Sequence, residues 1–235
     1  MISFSVWNKK GGSTKTTLSL TYAGYLTSLG KRIAVIDLDP QFGACVCADL
    51  ARAAGRELPF QVAKSLDEVK GDIDAVIYDH APGINPGGKI QNIILVPTIL
   101  DAANYSITLN TVKELQKTNS LYIVIPSRVE IKEKEQREML ETVFPLPADE
   151  NDLLLAKSYF KKSSTVVPYI KKRVSYSRAY GMGMTIFSEK SGLENLIAAR
   201  DEFKDVADYI DMKIEKYIAQ LKEKKAQATA SKATS

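Results

Sequence analysis

The segment from residue 10 to residue 17 combines glycine, lysine and hydroxyl side chains in the order Lys-Gly-Gly-Ser-Thr-Lys-Thr-Thr. Glycines let the backbone turn so that several N–H groups point inward, and a helix that starts there adds partial positive charge. Lys15 can reach the outer phosphates of a nucleotide, and the Thr16 hydroxyl is a ligand that Mg²⁺ accepts. The spacing therefore favours a phosphate-binding loop, with a Gly- and Lys-rich surface loop as the alternative. The candidate nucleotide-binding residues are Gly11, Gly12, Ser13, Thr14, Lys15, Thr16 and Thr17.

Carboxylates follow two apolar runs that are typical of buried strands. The run at 32–37 ends in Asp37 and is followed by Asp39, and the run at 74–78 is followed by Asp79. Loops at the carboxyl ends of parallel strands are where α/β folds place their chemistry. A carboxylate near a terminal phosphate can orient the attacking water or help to hold Mg²⁺. An Asp-Pro turn that merely closes a strand is the alternative for the first of these sites.

His80, which follows Asp79, is the only histidine of the chain. An imidazole at this place can contact a phosphate or the attacking water. A lone histidine more often makes local hydrogen bonds, and we favour that interpretation.

Strand-like runs alternate with helix-like runs over most of the chain. This alternation predicts an α/β fold, with a mostly parallel twisted sheet flanked by helices. We predict one domain over residues 1–225 and a disordered tail at 226–235, because that tail has no apolar side chain larger than alanine. The predicted strands are 2–7, 32–37, 74–78, 93–96 and 121–125, and the predicted helices are 15–29, 43–54, 103–117, 131–143 and 193–225.

The composition excludes several classes of protein. The chain has 235 residues, 45% of them hydrophobic and 26% charged, which is ordinary for a globular protein. Two cysteines are too few for a disulfide framework, and no apolar run approaches the ~18 residues of a membrane-spanning helix. With no signal peptide evident, we expect a cytoplasmic protein. The net charge of +4 permits contact with nucleic acid without requiring it.

The three motifs together resemble those of the ParA/MinD group of ATPases. The loop is similar to the deviant Walker A form K-G-G-x-G-K-[ST], except that Thr14 stands at the third glycine. The segment Asp37-Leu38-Asp39-Pro40-Gln41 is similar to the D-x-D-P-Q segment of that group, and Asp39 follows Lys15 by 24 residues, as in the family. The strand that ends in Asp79 resembles a Walker B strand.

The resemblance implies a P-loop ATPase that uses ATP and Mg²⁺ and forms a homodimer around two nucleotides. Lys10 would be the signature lysine that reaches the partner subunit's nucleotide, and Asp39 would position the attacking water. The implied catalytic residues are Lys10, Lys15 and Asp39, and the implied metal-binding residues are Thr16, Asp37 and Asp79.

ParA proteins also bind DNA non-specifically in the ATP state, and a partner-stimulated hydrolysis step releases them. Such binding needs lysines and arginines spread over one face, although most charge runs are simply solvated surface. With a strand predicted from residue 2, no separate DNA-binding domain is expected ahead of it, as in small ParA proteins. The tail lacks the bulky apolar face of a membrane-binding helix, so no membrane contact is expected. The candidate DNA-binding residues are Lys161, Lys162, Lys171, Lys172, Arg173 and Arg178.

Three functions remain open at this point. The first is plasmid or DNA segregation with a small DNA-binding, ParB-like adaptor, with the protein associated with the nucleoid. The second is an accessory ATPase of conjugative or T-DNA transfer, bound to a transfer-complex protein. The third is a nucleotide-binding regulatory module with little turnover, because a threonine at position 14 disfavours positive φ and crowds the β-phosphate.

Overall fold

The computed structural model describes residues 1–157, 165–189, 192 and 196–233. Within these residues one seven-stranded sheet has the order β3-β2-β4-β1-β5-β6-β7, and every neighbouring pair is parallel. This confirms the α/β fold predicted from the alternating pattern. The strands are β1 Ile2–Val6, β2 Ile33–Asp37, β3 Gln61–Ala63, β4 Ala75–Asp79, β5 Ile93–Thr98, β6 Leu121–Val129 and β7 Ile170–Lys171.

The helices agree with the five predicted ones and add two short ones in the region where the sequence pattern is weak. The described helices are α1 Lys15–Ser28, α2 Gly43–Ala53, α3 Ala102–Leu115, α4 Lys134–Val143, α5 Ala148–Lys157, α6 Val174–Gly181 and α7 Leu196–Ala233. We predicted a disordered tail at 226–235, but helix α7 continues into this segment as far as Ala233. The Ala, Gln and Lys residues of the segment are good helix formers. Lys161 and Lys162 lie outside the described residues.

Alternate strand residues face opposite sides of the sheet. Phe4 and Val6 of β1 and Ile77 of β4 belong to the large core that also contains α1 and α7. Trp7 packs on the opposite side with the last residue of α3, and Val76 also faces that side. Side chains that follow β4 therefore alternate between the face that carries α1 and the face that carries α3.

Helix α7 packs on the sheet over its first half only. Phe203, Ile210 and Ile214 are buried, as the predicted core stripe requires, whereas Ile218 and Leu221 are 40% and 38% exposed. Neither this helix nor any other in the described part of the chain is long and apolar enough to cross a membrane.

Candidate nucleotide-binding and catalytic site

A buried asparagine clamps the start of the phosphate loop. The Asn8 amide nitrogen donates to the Pro97 carbonyl at 2.8 Å and to the Thr108 hydroxyl at 2.9 Å. Its amide oxygen accepts from the Lys10 backbone N–H and from the Thr111 hydroxyl, both at 3.1 Å. The loop is therefore tied to β5 and α3 before it turns. Sequence analysis missed Asn8, although a polar amide directly after a buried strand was a usable signal.

The loop uses the left-handed backbone conformation twice. Gly12 has φ 72°, and Thr14 has φ 71° and ψ 21° immediately before α1. Position 14 thus requires the conformation that glycine adopts most easily, and threonine occupies it under strain. The hydroxyl groups of Ser13 and Thr14 are buried and have no hydrogen-bond partner among the described residues. Unpartnered hydroxyls beside a turn of this kind fit an anionic ligand.

Lys15 is held under the loop. Its side chain is only 6% exposed, and Nζ donates to the Lys10 carbonyl at 3.3 Å. Burial lowers the pKa of Lys15, and the charges of Asp79 and Asp39 act in the opposite direction. Lys15 thus lies within electrostatic reach of two of the three carboxylates that the sequence analysis singled out.

Asp79 is fully buried on the α1 side of the sheet. Its Oδ1 accepts from the Ser19 hydroxyl at 3.1 Å, whereas its Oδ2 has no partner in the described part of the chain. Burial raises the pKa of Asp79 to about 7, and hydrogen bonding to Thr16 and Ser19 offsets only part of this effect. An unpartnered carboxylate oxygen at this depth fits a cation.

The residues around Asp79 could bind Mg²⁺ only if phosphate oxygens supplied further ligands. The described residues hold no group of three or more His, Cys, Asp or Glu side chains that could bind a metal by themselves. Mg²⁺ in nucleotide sites commonly takes one or two protein ligands and completes its shell with phosphate oxygens and water. Thr16 and Asp79 suit that mode of binding.

Asp37 lies beside Asp79 in the parallel register of β2 and β4. Its Oδ1 accepts from the Asp39 N–H at 3.2 Å, and its Oδ2 accepts from the Cys45 N–H at 2.9 Å. Asp37 thus fixes both the segment that carries Asp39 and the first turn of α2. Asp39 itself is partly exposed and accepts from the Gln41 N–H at 2.9 Å.

His80 points away from the phosphate loop. Its ring is buried, with Nε2 2.8 Å from the Ser5 hydroxyl and Nδ1 2.8 Å from the Pro86 carbonyl. The local hydrogen-bonding role that we favoured from the sequence is confirmed.

Helix α6 contacts the start of α2, which borders the site. The sequence analysis did not predict this contact. The Tyr180 hydroxyl donates to the Gly43 carbonyl at 2.8 Å. A Cβ atom on Gly43 would lie 3.3 Å from Cγ2 of Thr16, so the start of α2 packs closely against the start of α1.

The basic residues near β7 have acidic partners. Arg173 and Lys171 lie 3.1 and 3.6 Å from the largely buried carboxylate of Glu202, and Lys172 lies 2.7 Å from Glu130. Arg178 on α6 is exposed. Part of the positive charge predicted to meet DNA is therefore offset within the protein.

Two curated relatives share parts of the sequence. A stretch of 37 residues is 54% identical to the chromosome-partitioning ATPase Soj of Thermus thermophilus and covers 16% of this chain and 15% of that protein. A stretch of 123 residues is 28% identical to the sporulation initiation inhibitor protein Soj of Bacillus subtilis and covers 52% of this chain and 47% of that protein. The matches thus span less than half of either relative.

The fold is similar to that of a variant of Cyanothece McdA solved in complex with ATP. The TM-score is 0.59 at 14% identity, and the alignment covers 90% of this chain and 96% of the other. At this identity the likeness is one of fold alone. Residues 4–228 match the CbiA family, described as the CobQ/CobB/MinD/ParA nucleotide binding domain. Because this match spans almost the whole chain, the protein belongs to the CobQ/CobB/MinD/ParA nucleotide-binding family.

Proposed function

We propose that the protein binds ATP with Mg²⁺ at this site and hydrolyses it slowly. The observation that carries the proposal is the buried Asp79 carboxylate, of which one oxygen has no partner among the described residues, beside a loop under which Lys15 is also buried. Lys15 and the loop amides would bind the phosphates, and Thr16 and Asp79 would hold the metal. When bound, Mg²⁺ neutralises charge that develops on the phosphates.

In this proposal Asp39 acts on the attacking water. It is close enough for its charge to raise the pKa of Lys15, and it is partly exposed, so water can reach it. The Asp37 carboxylate holds the Asp39 backbone in place. A carboxylate held in this way can accept a hydrogen bond from water and orient it for attack.

The proposed biological role is DNA partition. The ATP-bound protein would form a homodimer, bind non-specific DNA of the nucleoid, and leave it when a small DNA-binding adaptor stimulates hydrolysis. Membership of the family and the partial match to a chromosome-partitioning ATPase support this proposal. Lys10 would complete the site of the partner subunit, as in the group that the sequence resembles.

Nucleotide binding and dimerisation are tested with matched lysine variants. Lys15→Ala should abolish ATP binding, whereas Lys117→Ala, at an exposed lysine just after the end of α3, should not. Lys10→Ala should bind ATP as a monomer but fail to dimerise in light-scattering measurements. Lys9→Ala is its control, because the Lys9 ammonium is held by Glu114 at 2.7 Å. Normal dimerisation and hydrolysis by Lys10→Ala would contradict the role proposed for it.

Asp39→Ala should bind ATP and accumulate as the dimer, because hydrolysis would stall. Phosphate release and dimer content are measured together in the same samples. Loss of ATP binding would instead mean that Asp39 supports the nucleotide and not the water.

DNA binding is tested at Lys172 and Arg178, the two exposed residues among the DNA-binding candidates that the structure describes. Replacing both by alanine should weaken non-specific DNA binding in the ATP state and flatten its salt dependence. Lys117→Ala is again the control. Unchanged binding would place the DNA face elsewhere on the protein.

One observation favours a second function, that of a nucleotide-binding module with little turnover. The strained backbone of Thr14 lies where the loop must approach the phosphates. ATP binding with hydrolysis at background, even with DNA and an adaptor present, would support the module.

An accessory role in conjugative or T-DNA transfer would use the same site, and relaxase and secretion genes beside the gene would favour it.

A further inference from the structure

The connection between β4 and β5 contains no helix. Parallel strands are joined by crossovers that usually carry one, because a helix satisfies its own backbone hydrogen bonds. Residues 80–92 instead run as an irregular segment from the end of β4 to the start of β5, and β1 lies between those two strands. Without a helix, the conformation of this crossover depends on individual hydrogen bonds, some within the segment and some to neighbouring strands and loops.

His80 and Ser5 take part in several of these hydrogen bonds. The Pro86 carbonyl can only accept, so the Nδ1 atom of His80 carries the proton and donates to it at 2.8 Å. The Ser5 hydroxyl then donates to Nε2 at 2.8 Å, and its oxygen accepts from the Gln91 N–H at 2.9 Å. Both side chains are fully buried, and each of these groups is satisfied.

The crossover touches the phosphate loop on one side. The Gly83 N–H donates to the Lys9 carbonyl at 2.8 Å, directly before the lysine proposed to cross the dimer interface. A Cβ atom on Gly11 would lie 4.0 Å from Cβ of Pro82.

The same segment touches the acidic end of β2 on its other side. Gly87 has φ 79°, and a Cβ atom there would lie 2.4 Å from the Leu38 carbonyl oxygen. Leu38 separates Asp37 from Asp39, so the crossover packs against the backbone that places the water-orienting carboxylate. It therefore bridges the two halves of the candidate site.

We propose that His80 is a positioning residue, which holds the 80–92 crossover so that the phosphate loop and the Asp37–Asp39 segment keep the spacing that ATP hydrolysis requires. This inference rests on the proposed function. ATP affinity should depend mainly on Lys15 and the loop amides, which Asn8 holds independently. The rate of hydrolysis should depend on the crossover, because Asp39 follows the backbone against which it packs.

The first test uses hydrogen exchange in the nucleotide-free protein. His80→Ala should raise the exchange rates of the Gly83 and Gln91 amides about tenfold or more, as expected when buried hydrogen bonds are lost. His80→Asn keeps a donor at the Nδ1 position and should restore protection at Gly83. Ser5→Ala, a smaller change, should raise exchange at Gln91.

Val76→Ala is the control for a general loss of stability. It opens a cavity at β4, the strand that leads to His80, and leaves the hydrogen bonds of His80 in place. Its crossover amides should therefore exchange at the wild-type rate. Equal protection of the crossover in His80→Ala and wild type, or equal loss in Val76→Ala, would overturn the proposal.

The second test is kinetic. His80→Ala should lower kcat for ATP about tenfold and change KM less than twofold, and His80→Asn should recover most of kcat. A rise in KM with kcat unchanged would overturn the positioning role. If wild-type protein neither binds nor hydrolyses ATP, the proposed function fails, while the exchange measurements still decide whether His80 holds the crossover.

Discussion

Asp79→Asn should stabilise the nucleotide-free protein at alkaline pH. The Asp79 carboxyl is fully buried, and one of its oxygens has no partner in the described part of the chain. Burial raises its pKa from the ordinary 3.8 to about 7. When the pKa of a carboxyl is higher in the folded than in the unfolded state, the protein loses stability as pH rises from the unfolded-state pKa to the folded-state pKa. Asparagine keeps the shape and removes the charge.

The expected size follows from the pKa of Asp79. At about 1.4 kcal/mol for each pH unit, full ionisation costs the folded protein about 4 kcal/mol by pH 8. At pH 4.5 only about 1 kcal/mol of this cost is present. The gain in the free energy of unfolding from Asp79→Asn should therefore be about 3 kcal/mol larger at pH 8 than at pH 4.5.

Urea denaturation of wild type and variant at the two pH values measures this difference. Asp74→Asn is a control of opposite sign, because hydrogen bonds from Arg32 hold the pKa of Asp74 below its ordinary value. That variant should lose stability at pH 8 and converge with wild type in acid. A gain from Asp79→Asn that is equal at both pH values would refute the reasoning.

Binding of ATP with Mg²⁺ should reverse the order of stability of wild type and Asp79→Asn. Mg²⁺ bound at Asp79 would neutralise the buried carboxylate, so Mg²⁺ with ATP should stabilise wild type more than Asp79→Asn at pH 8. Equal stabilisation of both proteins would mean that Asp79 does not hold the metal.

Three further substitutions probe the loop and the basic residues. Thr14→Gly should raise the free energy of unfolding by about 1 kcal/mol in thermal denaturation, since it relieves the left-handed strain, and an unchanged midpoint would contradict this. Asn8→Ala should lower ATP affinity in calorimetry and cost about 2 kcal/mol of stability, and full affinity would argue against the clamp. Glu202→Gln should release Lys171 and Arg173 and steepen the salt dependence of DNA binding, whereas an unchanged slope would exclude them from the interface.

The parts of the site that lie close together in the sequence could be predicted from it. Gly12, Lys15 and the aspartates at strand ends are recognisable because each follows a buried apolar run at the carboxyl edge of a parallel sheet. Their convergence follows from the strand order, in which β1 and β2 both flank β4.

Contacts between distant segments could not be predicted in the same way. Asn8 meets Thr108 and Thr111 because α3 packs against β5, the neighbour of β1, and no local sequence pattern predicts that packing. The strands β3 and β7 have three and two residues, which is too short for a periodic signal. The face of the sheet toward which the His80 side chain points also depends on the alternation of β4 continuing one residue past Asp79.

The two shortest strands, β3 and β7, form the edges of the sheet. An edge strand offers unpaired N–H and C=O groups to another chain, and long flat edges invite aggregation. Here each edge offers at most three residues, and β7 ends in a lysine. Strand addition between copies would gain few hydrogen bonds and would place charge in the junction. Short edges with a charged end are one of the ways in which sheet proteins limit edge-to-edge association at high concentration.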